Sequence, residues 1–242
     1  MINLALALVA GLAGFALFYF TRIAPAWGSI LPGFVAAVVT YVLLARRTMK
    51  QLEAVMASAQ KELAGRRIEK AVAILEGAFP LARWQFLVGS QLHGQIGALL
   101  YAVQKKFEDA EPHLRKSFVK MGTARAMLGA QHFRRKEWKE MESVFDAAVR
   151  ANKGDSLLYA VYAFCEDKRG ERKKAIEILQ KGVSEVKSDE RLKTLLARLQ
   201  NDKRMKLEAF GEQWYQFWLE TPPMTQGPGG GFGPRQVRWG RR

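Results

Sequence analysis

The residue types that do most catalytic and metal chemistry are sparse in this chain of 242 residues, and poorly spaced for it. Three histidines, His93, His113 and His132, show no H-x-x-x-H spacing that would set two imidazoles on one helical face for a metal. The single cysteine, Cys165, excludes an intrachain disulfide and a cysteine-based zinc site. It lies in the apolar helical pattern "LYAVYAFCED" and reads as a buried structural thiol. No G-x-S-x-G turn and no phosphate loop with its lysine occurs. The run "GPGGGFG" at Gly227–Gly233 lacks a preceding strand and a following helix, so it reads as a flexible linker. Acid pairs such as Glu108/Asp109 and Asp189/Glu190 fall at polar helix starts, where carboxylates complement the backbone dipole. These readings predict no catalytic residue, no metal and no cofactor, hence a chain that is not an enzyme.

The composition instead favours contact with anions. Lys and Arg number 38 against 23 Asp and Glu, a formal net charge of +15. Residues 1–45 carry one charged side chain, Arg22, so the excess lies further along the chain. Residues 221–242, "TPPMTQGPGGGFGPRQVRWGRR", hold four arginines and no acid and cannot bury enough apolar surface to fold alone. A disordered tail is expected there. Arg235, Arg238, Arg241 and Arg242 around Trp239 suit an anionic lipid surface, a nucleic-acid contact by charge and stacking, or a short protein-binding motif. A merely solubilising tail is the plain alternative.

The elements that must position any such surface begin with two apolar runs. Ile2–Phe20 has only Asn3 as a polar residue and would reach about 28 Å as a helix, enough to cross a hydrocarbon core. Ile30–Ala45 is shorter, and Trp27, Gly28 and Ser29 extend it, giving a second span over about 28–45. Ala10/Gly14 and Gly33/Ala37 have the small-xxx-small spacing that lets helices approach closely. A cleaved signal peptide competes, because "APA" at Ala24–Ala26 resembles a cleavage site. The start lacks a basic region, however, and a second apolar run follows at once. Arg46, Arg47 and Lys50 after the second run outweigh Arg22 in the loop. The positive-inside rule then puts both the N-terminus and the C-terminal mass in the cytoplasm, at a bacterial inner membrane.

Between residues 50 and 220 the sequence repeats itself. "RIEKAVAILEGA", "KFEDAEPHLRKS", "EWKEMESVFDAA" and "ERKKAIEILQKG" share a small or apolar residue at Ala71, Ala110, Met141 and Ala175, with a weaker copy at Ala209. The steps are 39, 31, 34 and 34 residues. Twelve residues before each lies a small residue of a partner helix: Ala59, Ala98, Gly129, Ala163 and Ala197. Paired helices would cross at these sites, with the surrounding apolar residues forming the i, i+3, i+4 stripe. The short polar breaks between helices suit antiparallel neighbours.

This helix pair, repeated about every 34 residues, resembles the tetratricopeptide repeat (TPR) family. "LGAQHF" at Leu128–Phe133 looks like its L-G-x-x-Y core with His132 in the aromatic slot, and "ALLY" at Ala98–Tyr101 matches with Tyr101. The first-helix Trp is missing, and the closing Pro is recognisable only near Pro80. The resemblance implies a groove lined by the first helices of the pairs, suited to peptides or helices of other proteins. Exposed groove positions would be Gln91, Gln95, Arg125, Gln131 and Tyr159.

The expectation is therefore an all-α chain. A transmembrane helical hairpin (1–49) is followed by a TPR-like α-solenoid of helix pairs (50–220) and a disordered basic tail (221–242). Its work would be that of a scaffold or adaptor, binding proteins at the cytoplasmic face. The rival reading is a membrane-tethered factor for nucleic acid or ribosomes, gripping phosphates with its basic surface and tail.

Overall fold

The computed structural model describes residues 1–21 and 25–221; the tail arginines and Trp239 lie outside the described residues. The chain forms two compact units, 1–92 and 93–242. Among the described residues there are helices and turns and no strand.

The first unit holds α1 (Ile2–Phe20), α2 (Ala26–Ala64), α3 (Ile68–Gly77), a 3-10 turn (Phe79–Arg83) and the start of α4 (Val88–Ala102). By length and composition, α1 and α2 are each able to cross a membrane. They run antiparallel, Asn3 beside Thr48 and Gly11 beside Ala37. Asn3, Ala7, Gly11 and Gly14 form one stripe of α1, at the i, i+3 and i, i+4 spacings that share a helix face. A Cβ on Gly11 would sit 2.8 Å from the Ala37 Cβ, and one on Gly33 would sit 2.9 Å from the Gly11 carbonyl oxygen. Close packing by small residues is thus present, with Gly11 joining Gly14 and Gly33 in the contact. Their outward faces carry exposed large apolar side chains, among them Leu8, Leu12, Phe34 and Leu43. As expected, α2 is unbroken from its apolar half into the charged half, 39 residues or about 58 Å long. That charged half pairs with α3 as a helical hairpin.

The second unit continues from α4 with α5 (Phe107–Lys116), α6 (Gly122–Arg134), α7 (Trp138–Ala151), α8 (Ser156–Arg169), α9 (Arg172–Glu185) and α10 (Glu190–Gln200). A 3-10 turn (Leu207–Phe210) and the one-turn α11 (Glu212–Tyr215) follow. The antiparallel pairs α6/α7 and α8/α9 pack face to face, and α10 leans on α9. Small residues set the closest approaches. A Cβ on Gly129 would meet the Phe145 ring at 2.4 Å, one on Gly97 the Leu114 backbone nitrogen at 3.0 Å, and one on Gly182 the Tyr159 ring at 2.9 Å.

The first-helix ends carry the same turn. Arg66, Lys105, Lys136, Gly170 and Asp202 all have left-handed φ, between 56° and 101°. In four of them the next N–H reaches back five residues: Arg67 to Glu62, Glu137 to His132, Glu171 to Glu166, and Lys203 to Arg198, at 2.8–2.9 Å. This closure satisfies carbonyls the helix end would otherwise leave open. Its spacing over the first three intervals, 39, 31 and 34 residues, matches that of the small-residue sites.

The repeat stops at the fifth copy. Ala197 and Ala209 are exposed, so no helix pair crosses there. Where a second helix was expected, the chain makes the 3-10 turn and α11, broken at Gly211 with φ +64°.

Candidate functional site

Binding surfaces are the candidate sites, and the row of first helices α4, α6, α8 and α10 is where the TPR resemblance puts one. The predicted groove residues separate sharply in the structure. Gln95 is exposed, and Gln91 and Arg125 are half-buried. Gln131 is only 2% exposed and Tyr159 not at all, which corrects their expected exposure. Gln131 donates through Nε2 to Glu111 Oε2 at 3.3 Å, and Tyr159 packs its ring against Gly182. The cause lies in their helices. Residues 126–132 of α6 and 158–166 of α8 are buried without a break. Seven and nine successive buried residues leave those stretches no outward face for a partner.

Part of the cover over α8 comes from the chain's own C-terminal segment, 205–219, whose Leu207, Phe210, Trp214 and Phe217 are buried. Trp214 meets Phe164 of α8 edge-on, with ring centroids 4.8 Å apart. The Tyr101 hydroxyl at the end of α4 donates to the Phe217 carbonyl at 3.0 Å. Trp218 Nε1 donates to the Ala102 carbonyl at 3.2 Å, and the Lys105 ammonium lies 3.9 Å from the Trp218 ring centre. Arg191 of α10 stacks over Phe210 at 4.4 Å. The segment therefore touches α4, α8 and α10, the helices expected to line a peptide groove. Burial pushes the Tyr101 phenol up, keeping it neutral as a donor. The apolar spacing of 207, 210, 214 and 217 reads equally as a helix stripe.

The second helices and turns carry ion pairs that tie successive pairs together. Lys174 of α9 reaches Glu142 of α7 at 2.9 Å and Glu166 of α8 at 3.1 Å, and Arg169 joins both acids. Burial raises the Glu166 carboxyl, whereas hydrogen bonding from Lys174 holds Glu142 down. Arg135, in the α6–α7 turn, pairs with Glu108 and, at 2.6 Å, with Glu111 of α5. These charges meet each other, which makes them structural joints.

Two histidines that sequence spacing keeps apart come together. His93 on α4 and His113 on α5 bring their Nδ1 atoms to 3.1 Å. Burial, then the neighbouring His113 and Lys116, hold the His93 imidazole below its ordinary value. Among the described residues, no three His, Cys, Asp or Glu side chains cluster as metal ligands would. Cys165 is fully buried and its thiol is pushed well above the ordinary range by desolvation, matching a structural role.

Comparison of the chain with protein-family models, with curated proteins and with solved structures finds no match. The reading of function therefore rests on the chain's own geometry. One open depression, of about 510 Å³, lies between Asn152, Gly154, Asp155, Ser156, Leu157, Arg191, Phe210 and Gln213. Its charged groups are already engaged: Asp155 caps α8 by accepting from the Leu158 N–H at 3.1 Å, and Arg191 pairs with Asp189 at 2.7 Å.

Proposed function

We propose that the chain is a membrane-anchored, TPR-like adaptor that holds protein partners at the cytoplasmic face of a membrane. The observation that carries this is the pairing of α1 with α2. Both expose apolar side chains on their outward faces, and α2 runs without a break into the charged first hairpin. Large exposed apolar surfaces on a soluble protein would be an aggregation liability, whereas in lipid they are the expected finish. Arg46, Arg47 and Lys50 at the end of the apolar half orient the repeat toward the cytoplasm. Anchoring confines a partner to two dimensions and raises its effective concentration.

With 205–219 laid over the first helices, partner contact falls to what remains outside, including Gln95 and the half-buried Gln91 and Arg125. The arginine-rich residues 235–242 supply contact with anionic lipid.

Two measurements test the reading. The full chain should stay with membranes through alkaline extraction, with the repeat domain digested only from the cytoplasmic side. Crosslinked pull-down should then recover stoichiometric proteins, in high salt and with or without residues 221–242. Release by alkali refutes the anchor. The net charge of +15 favours one second reading, a nucleic-acid- or ribosome-associated factor. Recovery of such material, lost steeply with salt, would establish it instead.

A further inference from the structure

We propose that residues 79–87, "FPLARWQFL", make a third membrane contact, a wedge seated at the headgroup–acyl boundary of an anionic leaflet beside the charged end of the helix pair. This rests on the reading that α1 and α2 span a bilayer.

Hydrogen bonds to both apolar helices set the depth of the segment. The Asn3 backbone N–H donates to the Trp84 carbonyl at 3.1 Å, and the Met1 amino group donates to the Arg83 carbonyl. Asn3 Nδ2 donates to Gln85 Oε1 at 3.1 Å and to Thr48 Oγ1 at 3.0 Å. Gln85 Nε2 in turn donates to the Tyr41 hydroxyl at 3.1 Å. Residues 84–85 are thus held between the levels of Tyr41 and Thr48, a stretch of about 10 Å along α2. Arg46 and Arg47 lie inside that stretch, where the apolar run gives way to charge. The latch also explains Asn3. It is the one polar side chain of α1's apolar run, it is buried, and its amide joins the segment to α2.

The side chains suit that depth. Trp84 is 42% and Phe86 59% exposed, although both belong to a segment fixed by backbone and side-chain bonds. Aromatic side chains concentrate at the membrane interface, and Trp does so because its ring is apolar and its N–H is polar. Arg83 is exposed beside them, and Arg46, Arg47 and Lys50 are exposed on α2 at the same end. Four basic groups at about the depth of two uncovered aromatic rings complement anionic headgroups above an acyl layer. A protein partner at this depth would have to sit within the headgroup layer itself. The short 3-10 turn keeps the segment compact, and Leu87, at φ +70°, turns the chain out of it into α4.

The test uses the full chain in vesicles of phosphatidylcholine, with and without phosphatidylglycerol. An environment-sensitive fluorophore is placed on Phe86→Cys, on Arg83→Cys and, as a control within the anchor, on Val39→Cys. Cys165 is buried and stays unlabelled in the folded chain, so its labelling reports a variant that has not folded. The expected result at 86 is a blue-shifted emission, quenched more by lipid spin-labelled near the glycerol backbone than near the chain end. Quenching should strengthen with phosphatidylglycerol. The reporter at 39 should be quenched by the deep label. Water-like emission at 83 and 86, with 39 still quenched, overturns the wedge and leaves the anchor standing. Shielding at 86 that no lipid label quenches overturns it in favour of a protein partner. Absence of quenching at 39 as well overturns the membrane reading on which the wedge depends.

Discussion

Replacing Trp214 with alanine should loosen the C-terminal segment from the first helices. The side chain is fully buried, stacks edge-on against Phe164 at 4.8 Å and donates through Nε1 to Glu220 at 3.0 Å. Truncating a buried tryptophan costs about 3–5 kcal/mol, from lost transfer energy and the cavity left behind. The aromatic pair and the indole hydrogen bond are included in that figure, so they are not added again. In a stack of helices the loss should be felt locally rather than as uniform unfolding. The assay is hydrogen exchange of the full chain in detergent micelles, read at the Trp214, Phe217 and Trp218 amides, which donate within the segment. At about 1.4 kcal/mol per factor of ten, exchange there should accelerate roughly a hundred- to a few-thousand-fold. Exchange at the Ala71–Arg67 bond of α3 should be unchanged, since it lies in the other compact unit. An acceleration below about tenfold would refute the view that this segment is an integral cover of the first-helix row.

Four further outcomes are expected. Gly97→Val should cost about 1–3 kcal/mol in thermal or urea unfolding, because its Cβ would press on the Leu114 backbone, which cannot rotate away; Gly77→Ala, with nothing within 4 Å, should be neutral or slightly stabilising. Lys136→Gly should raise stability by about 1 kcal/mol in the same assay, by relieving a left-handed residue at a helix end. Asp189→Ala should cost about 0.5–2 kcal/mol, since the carboxylate accepts from the Arg191 N–H at the start of α10. The His93 imidazole is held below its ordinary 6.5, so the unfolded chain takes up the proton at a higher pH than the folded one. Its contribution to stability is therefore complete above that value and is lost as pH falls through the folded one, and His93→Gln should remove this part of the acid dependence of melting.

Much of the architecture could be read from spacing. Apolar residues at i, i+3 and i+4 mark the amphipathic helices α5, α7, α9 and α10, because a helix must bury one stripe whatever its neighbours are. The unbroken passage of α2 from apolar to charged was legible for the same reason: the helical stripe does not pause at Arg46. Small residues marked close approach at Gly129 directly and at Gly14, Gly33 and Ala37 of the first helix pair, whereas the contact of Gly11 with Ala37 came only from the packing. The candidate site was legible in part. Gln95 lies on the surface as expected, whereas Gln131 and Tyr159 do not, because Glu111 of α5 and Gly182 of α9 pack against them, and which faces neighbouring helices cover is set only by packing.

What the sequence determined alone was therefore local: helix periods, the two long apolar runs and the polar turns. These follow from a 3.6-residue period and from side-chain solubility, which need no distant partner. Tertiary structure decided which helix faces remain open. Tyr101 and Phe217 are 116 residues apart in the chain and 3.0 Å apart in space. His93 meets His113 across two helices, and Asn3 reaches Thr48 and Gln85. Each of these contacts joins segments whose own sequences are satisfied either way, so only the packing of the whole could choose them.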